Sequence, residues 1–226
     1  MPAGPFDRLL ADIGFQLDQI RQQLYYADAQ SARAEGVLPA RYSRAMAYVA
    51  LAAALEDFVK RSFDVLCEEI NRSGVALAKV RLGIVSLEQA SRFDSVASSR
   101  KQRIWTERAS VLQRAASDDI LTLNSEVRPF DGRTIRTRHI ETLWHTFEIE
   151  GTALPRPQLH FALEDLSEGR NAVAHGNADP ATFGRRKSFK DLYTRVDQVE
   201  ELAIYIVEAF NRYVRDSRFL RQPPTA

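Results

Sequence analysis

The chain has 226 residues, of which 45% are hydrophobic and 27% charged, a composition that excludes a disordered chain. Its formal net charge is only +1, so any nucleic acid would have to be held by a local basic patch rather than by a global field. Cys67 is the only cysteine, which excludes an intrachain disulfide and favours a reducing compartment.

The start of the chain carries neither the basic residues nor the apolar run of a secretory signal. The most apolar stretch, residues 45–55, is far shorter than the roughly 20 residues that cross a bilayer. We therefore expect a cytoplasmic protein with no membrane partner.

Helical periodicity dominates the first third. Apolar residues recur at three- and four-residue steps over residues 6–24, which predicts a helix whose pattern breaks near Gly36. A second helix is expected over about residues 41–71, and its apolar centre indicates burial between neighbouring helices.

The middle of the chain, residues 75–133, is less regular, and we interpret it as an insertion in, or an elaboration of, a single domain that spans residues 1–226. The elements expected there are a short helix or loop over 75–84, a capping box over 86–89, a basic helix over about 100–116 and a loop over 118–133.

The last third is again helical. Its expected elements are a helix over 136–147, a linker over 151–157, a helix over 158–175 that ends in a left-handed Gly176, a loop over 177–186, a final helix from a capping box at Ser188 to about 215, and a flexible tail over 218–226. Both tryptophans, Trp105 and Trp144, are expected in the core. No segment alternates as a strand does, so the fold class is all-α: a helical bundle with an elaborated middle region.

Several enzyme classes lack their motifs in this sequence. It has no glycine-rich phosphate loop, no Gly-x-Ser-x-Gly elbow, no paired cysteines, and no metal-site spacing among its four histidines. We therefore expect no metal and no cofactor.

The end of the helix before Gly176 carries the residues best suited to chemistry. Asn171 and His175, four residues apart, share one helix face. Arg170 lies roughly 140° around the helix from His175, so we expect the two to converge on one phosphate only if a second copy faces the first across a two-fold axis. An imidazole can transfer the protons of a ribose hydroxyl, and a guanidinium can grip phosphate oxygens. The negative helix end favours the protonated imidazole, and thus an acid role.

A purely structural interpretation stays open, because a histidine in the last turn followed by glycine is also a common stabilising helix terminus. Arg170 and Asn171 would then belong to a solvated face.

The sequence resembles a known family in three places. The run Arg170-Asn171-Ala172-Val173-Ala174-His175 resembles the Arg-Asn-x-x-x-His motif of HEPN domains and follows a Leu-x-x-Leu run at residues 163–166. Leu55-Glu56-Asp57-Phe58 is similar to the Leu-Glu-x-Phe element of an early buried helix in the RiboL-PSP-HEPN group, and residues 183–192 resemble that group's passage into its last helix. Residues 75–133 show no such match.

The resemblance implies a helical bundle that forms a homodimer and cleaves RNA without a metal, through 2′-hydroxyl attack. It makes His175 the acid–base residue, Arg170 the phosphate-binding residue and Asn171 a polar helper. Glu56 is either the acid that holds Arg170 or a half-exposed helix acid. Further implied partners are an RNA substrate and an antitoxin or defence-system protein. Besides the motif, three basic residues close behind it are candidates for RNA binding: Arg185, Arg186 and Lys187.

Two alternatives to a HEPN ribonuclease remain. One is a non-catalytic HEPN-like module that binds RNA, a nucleotide or a protein through the same helix face. The other is a helical interaction protein in which the motif is a coincidence.

Overall fold

A computed structural model describes residues 4–98, 103–130 and 134–222. Within these ranges the chain forms α-helices and no β-strand, which confirms the all-α prediction. The helices are α1 (Asp7–Ser31), α2 (Val37–Arg72), α3 (Leu82–Glu88), α4 (Ala90–Ser98), α5 (Ile104–Ala115), α6 (Thr137–Phe147), α7 (Gln158–Ala174), α8 (Pro180–Arg185) and α9 (Phe189–Arg215). None of the helices in these ranges combines the length and apolarity needed to span a bilayer.

The centre of the bundle is α2, which packs against α1, α7, α8 and α9. Because neighbours surround it, side chains from most of its sides are buried, as the apolar centre of the predicted second helix indicated. Met46 is an exception, with half of its surface exposed. By contrast, α4 has no buried residue and α5 has Val111 alone, so these two helices lie at the periphery.

Two expectations about helix starts are wrong. Residues 179 and 180 were expected in a loop, but Asp179 caps α8 by accepting a hydrogen bond from the Thr182 amide at 2.8 Å, and Pro180 supplies the first helical residue. Ser86 does not start a helix. It lies inside α3, where its hydroxyl donates to the Gly83 carbonyl at 2.6 Å. The capping box of Ser188 and Asp191 at the start of α9 is confirmed.

The expectation of a flexible tail over residues 218–226 is wrong for its described part, residues 218–222, which packs on the bundle. Phe219 is 5% exposed, and the Arg221 amide donates to the Lys79 carbonyl at 2.9 Å. Residues 223–226 lie outside the described ranges.

The two tryptophans differ in burial. Trp144 is buried as expected, but Trp105 is 70% exposed because it lies on the outer side of peripheral α5, with the Arg108 guanidinium over its ring.

Two glycines hold α7 and α8 close to α2. A Cβ on Gly169 of α7 would lie 2.3 Å from Cδ1 of Tyr48, and a Cβ on Gly184 of α8 would lie 1.9 Å from the carbonyl oxygen of Arg41. Only glycine fits at such approaches. The carboxyl-terminal half of α7 and all of α8 are therefore seated on the amino-terminal half of α2.

Candidate active site at the end of α7

The end of α7 presents His175 on the protein surface. Regular helix stops at Ala174, and His175 is the C-cap residue, with φ −92° and ψ 5°. Gly176 follows with φ +69°, the left-handed conformation that the sequence predicted. The imidazole therefore lies exposed at the carboxyl end of the helix.

Arg170 reaches His175 within one chain. Its Nη1 lies 3.3 Å from Nε2 of His175 and 3.2 Å from Oδ1 of Asn171. The expectation that Arg170 and His175 need a second copy in order to meet is therefore wrong. The Arg170 side chain is long enough to fold over the last turn, and His175 is the C-cap residue at the end of that turn.

The contact between Arg170 and His175 suits an imidazole that accepts a hydrogen bond through Nε2. A guanidinium carries donors and no acceptor, so Nε2 of His175 must be the acceptor. A base role for His175 therefore stands beside the acid role that the carboxyl end of the helix favours, and both stay predictions.

The positive charge of Arg170 is not neutralised by an ion pair among the described residues. Its Nε and Nη2 have no hydrogen-bond partner there either, which leaves both nitrogens for an anion. Glu56 does not hold Arg170. Its carboxylate accepts from Nζ of Lys60, one turn further along α2, at 2.6 Å, a contact that favours the interpretation as a helix acid.

Asn171 is held by a residue that sequence reasoning missed. The hydroxyl of Thr134 donates to Oδ1 of Asn171 at 3.4 Å, and Thr134 is 5% exposed. Because the two neighbours of this oxygen, Thr134 and Arg170, are both donors, the Asn171 amide is oriented with Nδ2 away from them. No sequence signal marks Thr134, which lies 37 residues before Asn171.

Residues 134–137 run along the same face of α7. After the contact of Thr134 with Asn171, Arg136 forms an ion pair with Glu164, and the Thr137 hydroxyl lies 3.0 Å from Nδ1 of His160. These contacts fix the segment against the helix face that carries Asn171.

Asp165, on another face of α7, collects three donors. The Tyr48 hydroxyl, Nζ of Lys187 and Nε of Arg195 each lie within 2.8–2.9 Å of its carboxylate. Burial alone would raise the pKa of Asp165, but the hydrogen bonds from Lys187, Arg195 and Tyr48 outweigh it and lower the pKa below its ordinary value.

The three basic residues behind the motif therefore differ. Lys187 is bound to Asp165 and lies over the Tyr48 ring, so its charge is used within the fold. Arg185 and Arg186 are exposed, and neither forms an ion pair in the described part of the chain.

In the part of the chain that the structure describes, neither a metal-type cluster nor an accessible thiol accompanies the motif. No group of three or more His, Cys, Asp or Glu side chains in the described ranges is placed to hold a metal ion. Cys67 is buried in the core, and burial raises the pKa of its thiol to about 12.

The chain is thus an all-α bundle that carries an Arg-Asn-x-x-x-His sequence at an exposed helix end. The model of the MAE_28990-like HEPN family matches residues 14–219, so the chain belongs to the HEPN domains. This confirms the HEPN prediction, and the match also runs through residues 75–133, where the sequence showed no resemblance. Placement in the RiboL-PSP group stays a prediction. No curated protein and no solved structure matches the chain significantly.

Proposed function

We propose that this HEPN domain is a metal-independent endoribonuclease with Arg170, Asn171 and His175 as its catalytic residues. The observation that carries the proposal is the contact of Nη1 of Arg170, which forms no ion pair among the described residues, with Nε2 of His175 at 3.3 Å on an exposed helix end. A phosphodiester needs this pair of functions: a base for the hydroxyl and a cation for the phosphate.

In the proposed reaction, the substrate phosphate first draws Nη1 of Arg170 away from Nε2 of His175. Nε2 then takes the proton of the ribose 2′-hydroxyl, and the 2′-oxygen attacks the adjacent phosphorus. The bond from phosphorus to the 5′-oxygen breaks, leaving a 2′,3′-cyclic phosphate and a 5′-hydroxyl. The free nitrogens of Arg170 stabilise the charge that builds on the phosphate oxygens. Nδ2 of Asn171 donates to the substrate.

The leaving 5′-oxygen needs a proton, and we assign its donor to a protonated His175 in a second copy of the chain. The exposed side of α7 supports a symmetric contact there. Phe161 is 71% exposed and lies on the same side of α7 as His175, about 21 Å along the helix, so it offers an apolar anchor for that contact near the start of α7.

The test compares purified wild-type chain with His175→Ala and with His145→Ala, a matched control at an exposed histidine of α6. We expect the wild type and the control to cut single-stranded RNA in EDTA and to leave DNA of the same sequence intact. His175→Ala should be inactive, with a melting temperature within a few degrees of the wild type. A requirement for magnesium, or equal cleavage of DNA, would refute this mechanism.

A non-catalytic RNA-binding HEPN module is the alternative. The described residues of one chain place only one imidazole, that of His175, at the site. If His175 is the base, a single chain has no general acid there, which favours the non-catalytic alternative. A chain that stays monomeric and binds RNA without cutting it would support this alternative.

We further propose that the ribonuclease acts in the cytoplasm as the toxin of a toxin–antitoxin or antiviral defence system. Its expression should arrest growth with RNA cleavage, and expression of the His175→Ala form should not. Growth arrest by both forms would contradict this role.

A further inference from the structure

Four arginines lie where α8 and the start of α9 meet the amino-terminal half of α2. Arg41 and Arg44 belong to α2, and Arg185 and Arg186 lie at the end of α8. Gly184, the residue before Arg185, packs closely against the carbonyl of Arg41, so the two pairs of arginines lie next to each other. The guanidinium of Arg44 lies 4.9 Å from the centre of the Phe189 ring, at the first residue of α9.

None of these four arginines forms an ion pair within the described ranges. Arg21, by contrast, is bonded to Asp18, Asp197 and Glu200, which shows how this fold neutralises a guanidinium elsewhere. Nε of Arg44 is buried without a hydrogen-bond partner.

The nearby carboxylates are largely committed to other contacts. Asp179 and Asp191 accept backbone amides at the starts of α8 and α9. Burial lowers the pKa of Arg44, the charge of Arg41 lowers it further, and Asp28 of α1 opposes the shift without forming an ion pair. The two α2 arginines thus repel each other with little compensation, a situation that a bound anion relieves.

A set of packing contacts connects this basic surface to the part of α7 that carries the motif. Tyr48 lies one helical turn beyond Arg44 on α2, and its ring is seated against Gly169, the residue before Arg170. Nζ of Lys187 lies 4.8 Å from the centre of the same ring and directly follows Arg186 in the chain.

We infer that Arg41, Arg44, Arg185 and Arg186 form one anion-binding surface that holds the sugar–phosphate backbone of single-stranded RNA beside the motif. The inference rests on the proposed function in taking RNA as the polyanion, and it adds Arg41 and Arg44 of α2, which no motif marks. Single-stranded RNA suits this surface because the arginines would bind its phosphates by charge. Such binding does not require the surface to match the groove of a duplex.

The experiment measures binding of a fluorescent single-stranded RNA of about 12 nucleotides over a range of salt concentrations. All proteins carry His175→Ala so that the probe stays intact. The test variant is Arg41→Gln with Arg44→Gln, and its charge-preserving partner is Arg41→Lys with Arg44→Lys.

A control with the same change in charge is Arg72→Gln with Arg215→Gln. These two arginines are ion-paired, with Glu68 and Asp216 respectively. Arg72 lies about 42 Å along α2 from Arg44, at 1.5 Å per residue.

Loss of two phosphate contacts should lower the slope of log affinity against log salt by about 1.4. The glutamine variant should accordingly bind about 25-fold more weakly at 0.1 M salt and about 10-fold more weakly at 0.2 M. The lysine variant and the control should retain most of the affinity.

Three results would overturn the inference: glutamine and control variants that bind equally well, glutamine and lysine variants that lose affinity equally, or no RNA binding by the His175→Ala protein. Failure of the proposed function is a separate result, because the wild-type chain would then leave RNA uncut even where the surface binds it.

Discussion

Replacing Gly169 with alanine should push α7 away from α2 directly beneath the motif. The added methyl would lie 2.3 Å from Cδ1 of Tyr48 and 3.0 Å from Cζ of Phe183. Tyr48 has little room to retreat, because it is 1% exposed and its hydroxyl is bonded to Asp165. Overpacking of this kind costs about 1–3 kcal/mol, against a gain of about 1 kcal/mol in helix propensity. Because the closest contact is only 2.3 Å and Tyr48 is held in place, the cost should lie at the upper end of this range, and we expect a net loss of about 1–2 kcal/mol in the free energy of unfolding.

Gly14→Ala in α1 is the matched control, because its added methyl would meet no atom within 4 Å. It should gain about 0.5–1 kcal/mol from helix propensity alone. The two alanine variants should therefore differ by about 2 kcal/mol, or about 4–8 °C in melting temperature for a chain of this size. Thermal unfolding by circular dichroism measures this difference. Equal melting temperatures would refute the role assigned to Gly169.

Three further predictions concern residues around the motif. Thr134→Val removes one hydrogen bond to Asn171 at nearly constant shape and should lower kcat for RNA cleavage about 10-fold. Thr134→Ser keeps the hydroxyl and should retain the wild-type kcat. Equal rates for the two variants would contradict a positioning role. The lowered pKa of Asp165 means that its carboxylate stabilises the fold above about pH 4 and that this contribution is lost as the pH falls through the lowered pKa. Asp165→Asn should thus cost about 2 kcal/mol at pH 7 in urea unfolding and progressively less below pH 4, and a cost independent of pH would count against this account. Glu56→Gln should leave the cleavage rate within about two-fold, because Glu56 is bonded to Lys60; a loss of 10-fold or more would restore it as a site residue.

The long helices were predictable because their apolar stripes repeat over many turns. The predicted and observed ends of α2, α7 and α9 agree within a few residues. The six residues of α8 are too few to show such a period. The sequence therefore predicts a loop at Asp179 and Pro180, although an aspartate followed by a proline is also a common helix start.

The identity of the site residues came from the motif, but their geometry did not. Angles around an ideal helix give only the direction in which each side chain leaves the backbone. They do not include the length of the Arg170 side chain, which lets it contact His175, or the C-cap dihedral angles of His175. The contact of Thr134 with Asn171 joins segments 37 residues apart, so no local pattern encodes it.

The most direct test of the ribonuclease mechanism is cleavage, in EDTA, of an RNA that carries a single 2′-deoxy nucleotide at a mapped cleavage position. Because the account makes the substrate's 2′-hydroxyl the nucleophile and His175 its base, the wild-type chain should leave a 2′,3′-cyclic phosphate on the all-ribose strand. It should fail to cut at the deoxy position while still cutting elsewhere in the same strand. Unimpaired cleavage at the deoxy position, or the same products from the His175→Ala protein, would contradict the account.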